Sequence, residues 1–255
     1  MLRNRLIFGL IYDNGFFMQS RNFRLQRIGD FQWLENFYKL QETSFAIDEL
    51  VIVDASRNKK NITQYSQIVT SIAERVFIPV AVGGGINSIK DADTLFHSGA
   101  DKLVINSALW NNSKIVTDII EVYGSQSVIA SVDYMIKDNE SVVFINNGTT
   151  ELPLRLMDYL KHVEELGVGE ILLNSIDLDG TGFGYDIETL NAASSALNAP
   201  LISIGGAGNV NHFKEALSID KVRSVATANL LNFIGDGLKS ARDGLINDSY
   251  NLPRW

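Results

Sequence analysis

Val82-Gly83-Gly84-Gly85-Ile86 and Ile204-Gly205-Gly206-Ala207-Gly208 are the stretches that decide the fold. Each follows a short β-branched run and precedes a helical pattern, and Gly84 and Gly206 stand 122 residues apart. The same offset of 122 separates Ile11 from Asp133, and one of 121 separates Asn106-Ser107 from Thr227-Ala228. One spacing returning at three strand ends is the mark of a four-unit half used twice. Working outward, strands are expected at 6–11, 50–53, 78–82, 103–105, 128–132, 171–173, 201–204 and 222–226. Amphipathic stretches fall between them at 65–75, 89–98, 114–123, 154–166, 187–197 and 210–217, with a first helix within 31–45. Residues 135–150 alternate around Lys137-Asp138-Asn139, a hairpin signal. Near-continuous apolar strands indicate a parallel sheet covered on both faces. Eight such units in 255 residues give a single α/β domain, a (β/α)8 TIM barrel over 1–255, with half-barrels at about 1–124 and 125–255.

Composition removes several chemistries. Cysteine is absent, so thiol nucleophiles, disulfides and Cys-ligated metal are excluded. The three histidines, His97, His162 and His212, are widely separated and sit in amphipathic stretches, and no metal-ligand spacing or cofactor motif occurs. Thirty acidic against 22 basic residues give −8, the wrong sign for wrapping a phosphate backbone, so no nucleic-acid partner is expected. No run reaches the roughly 18 apolar residues a spanning helix needs, and the N-terminus lacks a signal-peptide pattern. The expected compartment is the cytoplasm, away from membranes.

In such barrels the chemistry sits at the strands' C-terminal ends. Glycine there lets backbone N–H groups approach a phosphate. The repeat therefore predicts two anion cradles: Gly85 with Asn106 and Ser107, and Gly206 with Asp179, Gly180, Thr227 and Ala228. At the opposite ends, Arg5, Glu49, Lys102 and Glu170 immediately precede or begin strands. Period-two alternation puts Arg5 on the face of Ile11, Lys102 on that of Asn106 and Glu170 on that of Asn174, towards the axis. Two cations and two anions there are expected to pair, because isolated charges would be costly to bury.

The sequence resembles the cyclase subunit of imidazole glycerol phosphate synthase, the HisF family, along essentially its whole length. The resemblance is carried by Asp48-Glu49-Leu50, Val82-Gly-Gly-Gly-Ile86, Gly99-Ala-Asp-Lys102, Ile105-Asn106, Tyr123-Gly-Ser-Gln126, Gly167-Val-Gly-Glu-Ile171, Ser175-Ile-Asp-Leu-Asp-Gly-Thr181, Gly184-Tyr-Asp186 and Gly205-Gly-Ala-Gly208. It implies a glutaminase (HisH-like) partner on the N-terminal face of the barrel, passing ammonia through the axis to a phosphorylated small-molecule substrate. It also implies two catalytic aspartates. One matches Asp133; the other falls on Ile11, which cannot transfer a proton, and a lysine expected in the first loop falls on Gln19. Arg5, Glu49, Lys102 and Glu170 match the family's salt-bridge gate for ammonia.

Asp54-Ala-Ser-Arg57, Gly124-Ser-Gln-Ser127 and Asn174-Ser-Ile-Asp177 resemble a divergent branch of the family. That branch accompanies amidotransferases that turn acetamido sugars into acetamidino sugars for surface polysaccharides, which implies a sugar amidotransferase as a further partner. The alternatives are an authentic histidine-pathway cyclase and a non-catalytic scaffold that activates its glutaminase.

Overall fold

The computed structural model describes residues 3–57, 60–229 and 236–253. Its eight central strands are β1 (Arg5–Asp13), β2 (Glu49–Asp54), β3 (Val80–Gly83), β4 (Lys102–Ile105), β5 (Val128–Lys137), β6 (Glu170–Ser175), β7 (Leu201–Ile204) and β8 (Val222–Thr227). Each pairs in parallel with the next, β8 returns to β1, and the circle closes. Helices between the strands cover the outside. All eight expected strands are present, with ends displaced by no more than a few residues except where β5 runs on into its hairpin.

Alternation sorts the side chains into two sets. Outward residues join the helices in one large core. Inward residues form a separate buried cluster with one member from every strand: Ile7, Val51, Ala81, Val104, Ile129, Leu172, Ile202 and Ala226. Each buried aliphatic side chain of Val, Leu or Ile size contributes about 1.5–3 kcal/mol, so the axis is a packed plug with polar residues above and below it.

Ile11 pairs with Val53 across β1 and β2, and Asp133 pairs with Asn174 across β5 and β6. Both β1 and β5 overrun the barrel rim into hairpins. The β5 excursion pairs with Glu140–Ile145 through Asp138-Asn139, both at positive φ (49° and 63°), and continues into Thr150–Arg155. The β1 excursion, expected only as a long loop, is a hairpin of Phe16–Arg21 and Arg24–Gly29. Asn14-Gly15, a strong two-residue hairpin signal, turns β1 into Phe16–Arg21, and Asn22-Phe23, both at positive φ, form the tip of the hairpin.

Two further differences have local causes. The helix expected within 31–45 divides into Phe31–Tyr38 and Leu40–Thr43, because Lys39 is left-handed at φ 45°. That reversal lets Tyr38 and Leu40 both bury. The helix expected at 154–166 begins at Leu156, since Arg155 still pairs with Val142 in the second hairpin. Among the described residues no helix is long and apolar enough to cross a membrane.

Gly206 tests the close packing of the β7 loop. Its φ is +113°, and a Cβ there would lie 1.9 Å from the Gly184 carbonyl oxygen. Gly206→Ala should therefore lower stability by at least about 2 kcal/mol in urea unfolding. Gly15→Ala, with open space around the added methyl, should cost less despite its own positive φ.

Candidate functional site

The C-terminal ends of the strands enclose a cavity of about 770 Å³, lined by Gly9, Ile11, Asp54, Gly84, Gly85, Asn106, Ser107, Asp133, Asn174, Asp179 and Ala228, among others. The two hairpins meet above it. Phe23 at the tip of the first lies against Gly148 of the second, where an added Cβ would come within 2.7 Å of the ring. The first hairpin is tied down through Asn22, whose side-chain amide donates to the carbonyls of Ile176 (3.1 Å) and Asp177 (2.6 Å). The second is held by the Asn146 N–H donating to Ser107 Oγ (3.0 Å) and Asn147 Nδ2 donating to the Ala55 carbonyl (3.2 Å).

Asp133 is gripped by two amides. Asn174 Nδ2 donates to Oδ1 at 3.0 Å, and Asn106 Nδ2 donates to Oδ2 at 3.1 Å. Asn106 is itself held by the Ser131 carbonyl (2.9 Å) and the Ser107 hydroxyl (3.2 Å). Burial pushes the Asp133 carboxyl up to about 7, opposed by the Asn174 and Asn106 donors and reinforced by the charge of Asp179. A carboxyl near neutrality can both give and accept a proton. Ile11 lines the same cavity. Asp13, two residues on, ends β1 inside the strand pairing and is absent from the cavity wall.

The two sets of predicted phosphate residues fare differently. Gly85, Asn106 and Ser107 share the wall of the main cavity. Gly180, Gly206 and Thr227 gather instead around a gap of about 20 Å³, with Gln19, Asp179 and Ala228. The Asp179 carboxylate is occupied: it accepts from Ser20 Oγ and from the Phe23 N–H (3.1 Å), fastening the first hairpin. Burial raises its pKa.

At the barrel floor, Arg5, Glu49, Lys102 and Glu170 form a closed ring. Arg5 Nη1 lies 2.6 Å from Glu49 Oε2, and its guanidinium also pairs with Glu170. Lys102 Nζ lies 3.0 Å from Glu49 and 2.9 Å from Glu170. Every charge has two partners of opposite sign. Burial raises the Glu49 pKa, whereas for Glu170 the attraction of Arg5 and Lys102 outweighs burial and lowers it.

The family model described as "Histidine biosynthesis protein" matches residues 34–234. A protein of Parasynechococcus marenigrum named as imidazole glycerol phosphate synthase subunit hisF2 is 41% identical over all of this chain and 95% of its own length. Imidazole glycerol phosphate synthase subunit HisF of Clostridium botulinum is 34% identical over 99% of both chains. That of Pyrobaculum aerophilum is 40% identical over 73% of both. The chain belongs to the HisF family.

Two residues of this HisF-family cavity escaped the sequence reading as site residues. Asn174 holds Asp133, and its position opposite Asp133 in the β5–β6 register was the available signal. Lys60 turns into the cavity from the loop after β2, and nothing in its local sequence distinguishes it from neighbouring cations. Among the described residues no group of three His, Asp or Glu side chains could hold a metal ion.

The raised Asp133 pKa has a stability consequence. The folded state binds this proton more tightly than the unfolded chain, so the stabilisation is complete below about pH 4 and is lost as pH rises through about 7. The stability of wild type relative to Asp133→Asn should fall across that window in denaturant titrations at several pH values. A flat difference would place the carboxyl's midpoint near the ordinary range.

Proposed function

We propose that this chain is the barrel subunit of a glutamine amidotransferase pair. Ammonia released by a glutaminase enters through the floor ring and is added to a phosphorylated or nucleotide-linked acceptor in the upper cavity, with Asp133 as the single acid–base group. The observation that carries this reading is the arrangement along one axis: a neutral ring of paired charges, an apolar plug, then Asp133 with a midpoint near 7. Opposite charges that satisfy one another need only a small displacement to let a neutral molecule pass. The apolar residues above them disfavour its protonation.

An exposed apolar rim supports docking of the glutaminase around the ring. Phe45 and Phe77, in the turns just before β2 and β3, are 64% and 77% exposed, and Val122 before β5 is 63% exposed. Phe45 lies four residues before Glu49, so an apolar partner face seated there would approach the ring.

Ile11 shapes the chemistry. It stands 122 residues before Asp133, the offset of the repeat, and a positioned acid or base contributes roughly 10²–10⁴-fold. This favours the divergent, acetamidino-sugar branch, in which the barrel delivers ammonia and a separate sugar amidotransferase works on the acceptor. The second reading, an authentic cyclase of histidine biosynthesis, is favoured by the full-length similarity to HisF of Clostridium botulinum.

Supplied with ammonium salt and the bis-phosphorylated histidine-pathway intermediate, the chain should turn over at least ~10²-fold more slowly than a barrel carrying both aspartates, and Ile11→Asp should raise the rate. A native rate equal to that of such a barrel would establish the cyclase reading instead. In the reconstituted glutaminase pair, Lys102→Met should depress glutamine-dependent product formation more than ammonium-dependent formation. It should also cost about 2 kcal/mol of stability, less than a fully buried pair because the ring retains some solvent contact. Equal losses in both assays would remove the gate.

A further inference from the structure

The outer rim of the mouth presents charge and apolar surface that the fold itself does not use. Phe183 and Ile136 are 80% and 50% exposed. Arg21, Arg24 and Arg57 are exposed as well. Among the described residues the arginines that reach a carboxylate are Arg5, Arg75, Arg155, Arg223 and Arg242; Arg21, Arg24 and Arg57 are not among them. The acids of the loop after β6 are engaged by backbone instead: Asp177 accepts from the Ile136 N–H (2.8 Å) and Asp179 from the Phe23 N–H (3.1 Å). Arg21 and Arg24 are also direct partners across the first hairpin, and like charges so placed are destabilising.

The loop after β6 joins these residues into one surface. The Asp177 carbonyl accepts from the Asn22 side chain (2.6 Å), so Ile136 and the hairpin tip meet at Asp177, with Arg21 and Arg24 on either side of the tip. Arg57 donates to the Phe23 carbonyl (3.0 Å). Gly180 packs on the same hairpin, where an added Cβ would lie 2.9 Å from Arg21 Cα. Phe183 stands three residues beyond Gly180, a chain length of at most about 11 Å.

The chemistry of the surface selects its occupant. Arg21 and Arg24 line neither the main cavity nor the gap beside Gly206, so no concavity encloses a small anion against them. A second copy related by a two-fold axis would set guanidinium against guanidinium. An anionic bilayer would repel a chain of net charge −8. An aromatic anchor with arginines around it is instead the composition of a protein interface. We propose that this C-terminal rim is a second docking surface, for a protein that presents carboxylates around an apolar hollow and takes up ammonia at the mouth. Phe183 enters the hollow, and the three guanidiniums pair with the carboxylates. The inference rests on the proposed function only for what the partner does. Docking here without nitrogen transfer would uphold the surface while removing the ammonia reading.

The test is photo-crosslinking in cells of the source organism, with p-benzoylphenylalanine in place of Phe183 or, as a control on the opposite face, of Phe45. Position 183 should give an adduct with a protein different from the one captured at position 45, its cross-linked peptide rich in Asp and Glu. Arg21→Glu with Arg24→Glu should lower that yield at least roughly tenfold, since truncating or reversing interfacial charges costs this much or more, and Arg21→Lys with Arg24→Lys should retain most of it. Should the glutamate variant fail to fold, the yield at position 183 in the otherwise unaltered chain should fall at least roughly tenfold in permeabilised cells as salt rises from about 0.05 to 0.5 M. An adduct with phospholipid, with a second copy of this chain or with the protein captured at position 45 overturns the proposal. So does no adduct, or a yield indifferent to both charge reversal and salt.

Discussion

Closing eight parallel strands into a barrel leaves their alternate side chains one shared destination, the axis. Every inward position is therefore packed against residues from other strands, and what occupies one level constrains what can occupy the next. Here the levels are a ring of four paired charges, a plug of eight apolar side chains and a polar floor to the upper cavity. The charges are tolerable at the bottom because Arg5 and Lys102 each bridge both carboxylates, so none of the four is left unpaired. Asp133 is tolerable at the top because two amides grip it while burial holds its midpoint near 7. The apolar plug separates two polar systems that would otherwise be solvated together.

The same closure sets the architecture of the mouth. Strands β1 and β5 lie across the barrel from one another, and both continue beyond the rim into hairpins. Their meeting over the cavity, Phe23 against Gly148, depends on side chains that would otherwise be free for a ligand: Asp179 holds the first hairpin, and Ser107 holds the second. Residues at the strand ends therefore serve the roof and the cavity at once. A ligand that accepts from the Ser107 hydroxyl competes with the bond from Ser107 to Asn106 Oδ1, so occupancy of that wall is linked to one of the two amides that grip Asp133.

The strands were legible in the sequence because a parallel barrel buries both faces of every strand, which leaves short β-branched runs with little else to be. The floor ring was legible for a related reason: charges at strand starts, two residues from apolar inward positions, have only the axis to face. The repeat offset relates Ile11 to Asp133; in the structure Ile11 lies beside Val53 and Asp133 beside Asn174. What stayed hidden depends on tertiary approach. Lys39 breaks its helix at φ 45° without a glycine to announce it, and Lys60 is one of several cations in a short loop. The close contact at Gly206 is made by the Gly184 carbonyl, which arrives from a different loop.

The two halves share a backbone plan and differ in what their side chains can do. At the rim positions related by the repeat, one half presents isoleucine and the other an aspartate with a midpoint near 7. At the glycine-rich ends, Gly84 and Gly85 line the main cavity with Lys60, whereas Gly205 and Gly206 line a gap of about 20 Å³. A symmetric pair of cradles with a symmetric pair of acids would suit a ligand charged at both ends and attacked from both sides. Ile11, beside Val53 in the register, makes the facing wall apolar, and an uncharged portion of the ligand is what such a wall can bury without cost. The asymmetry of the side chains thus gives the two sides of the mouth different chemistry, a titratable carboxyl at one rim position and an apolar surface at the other.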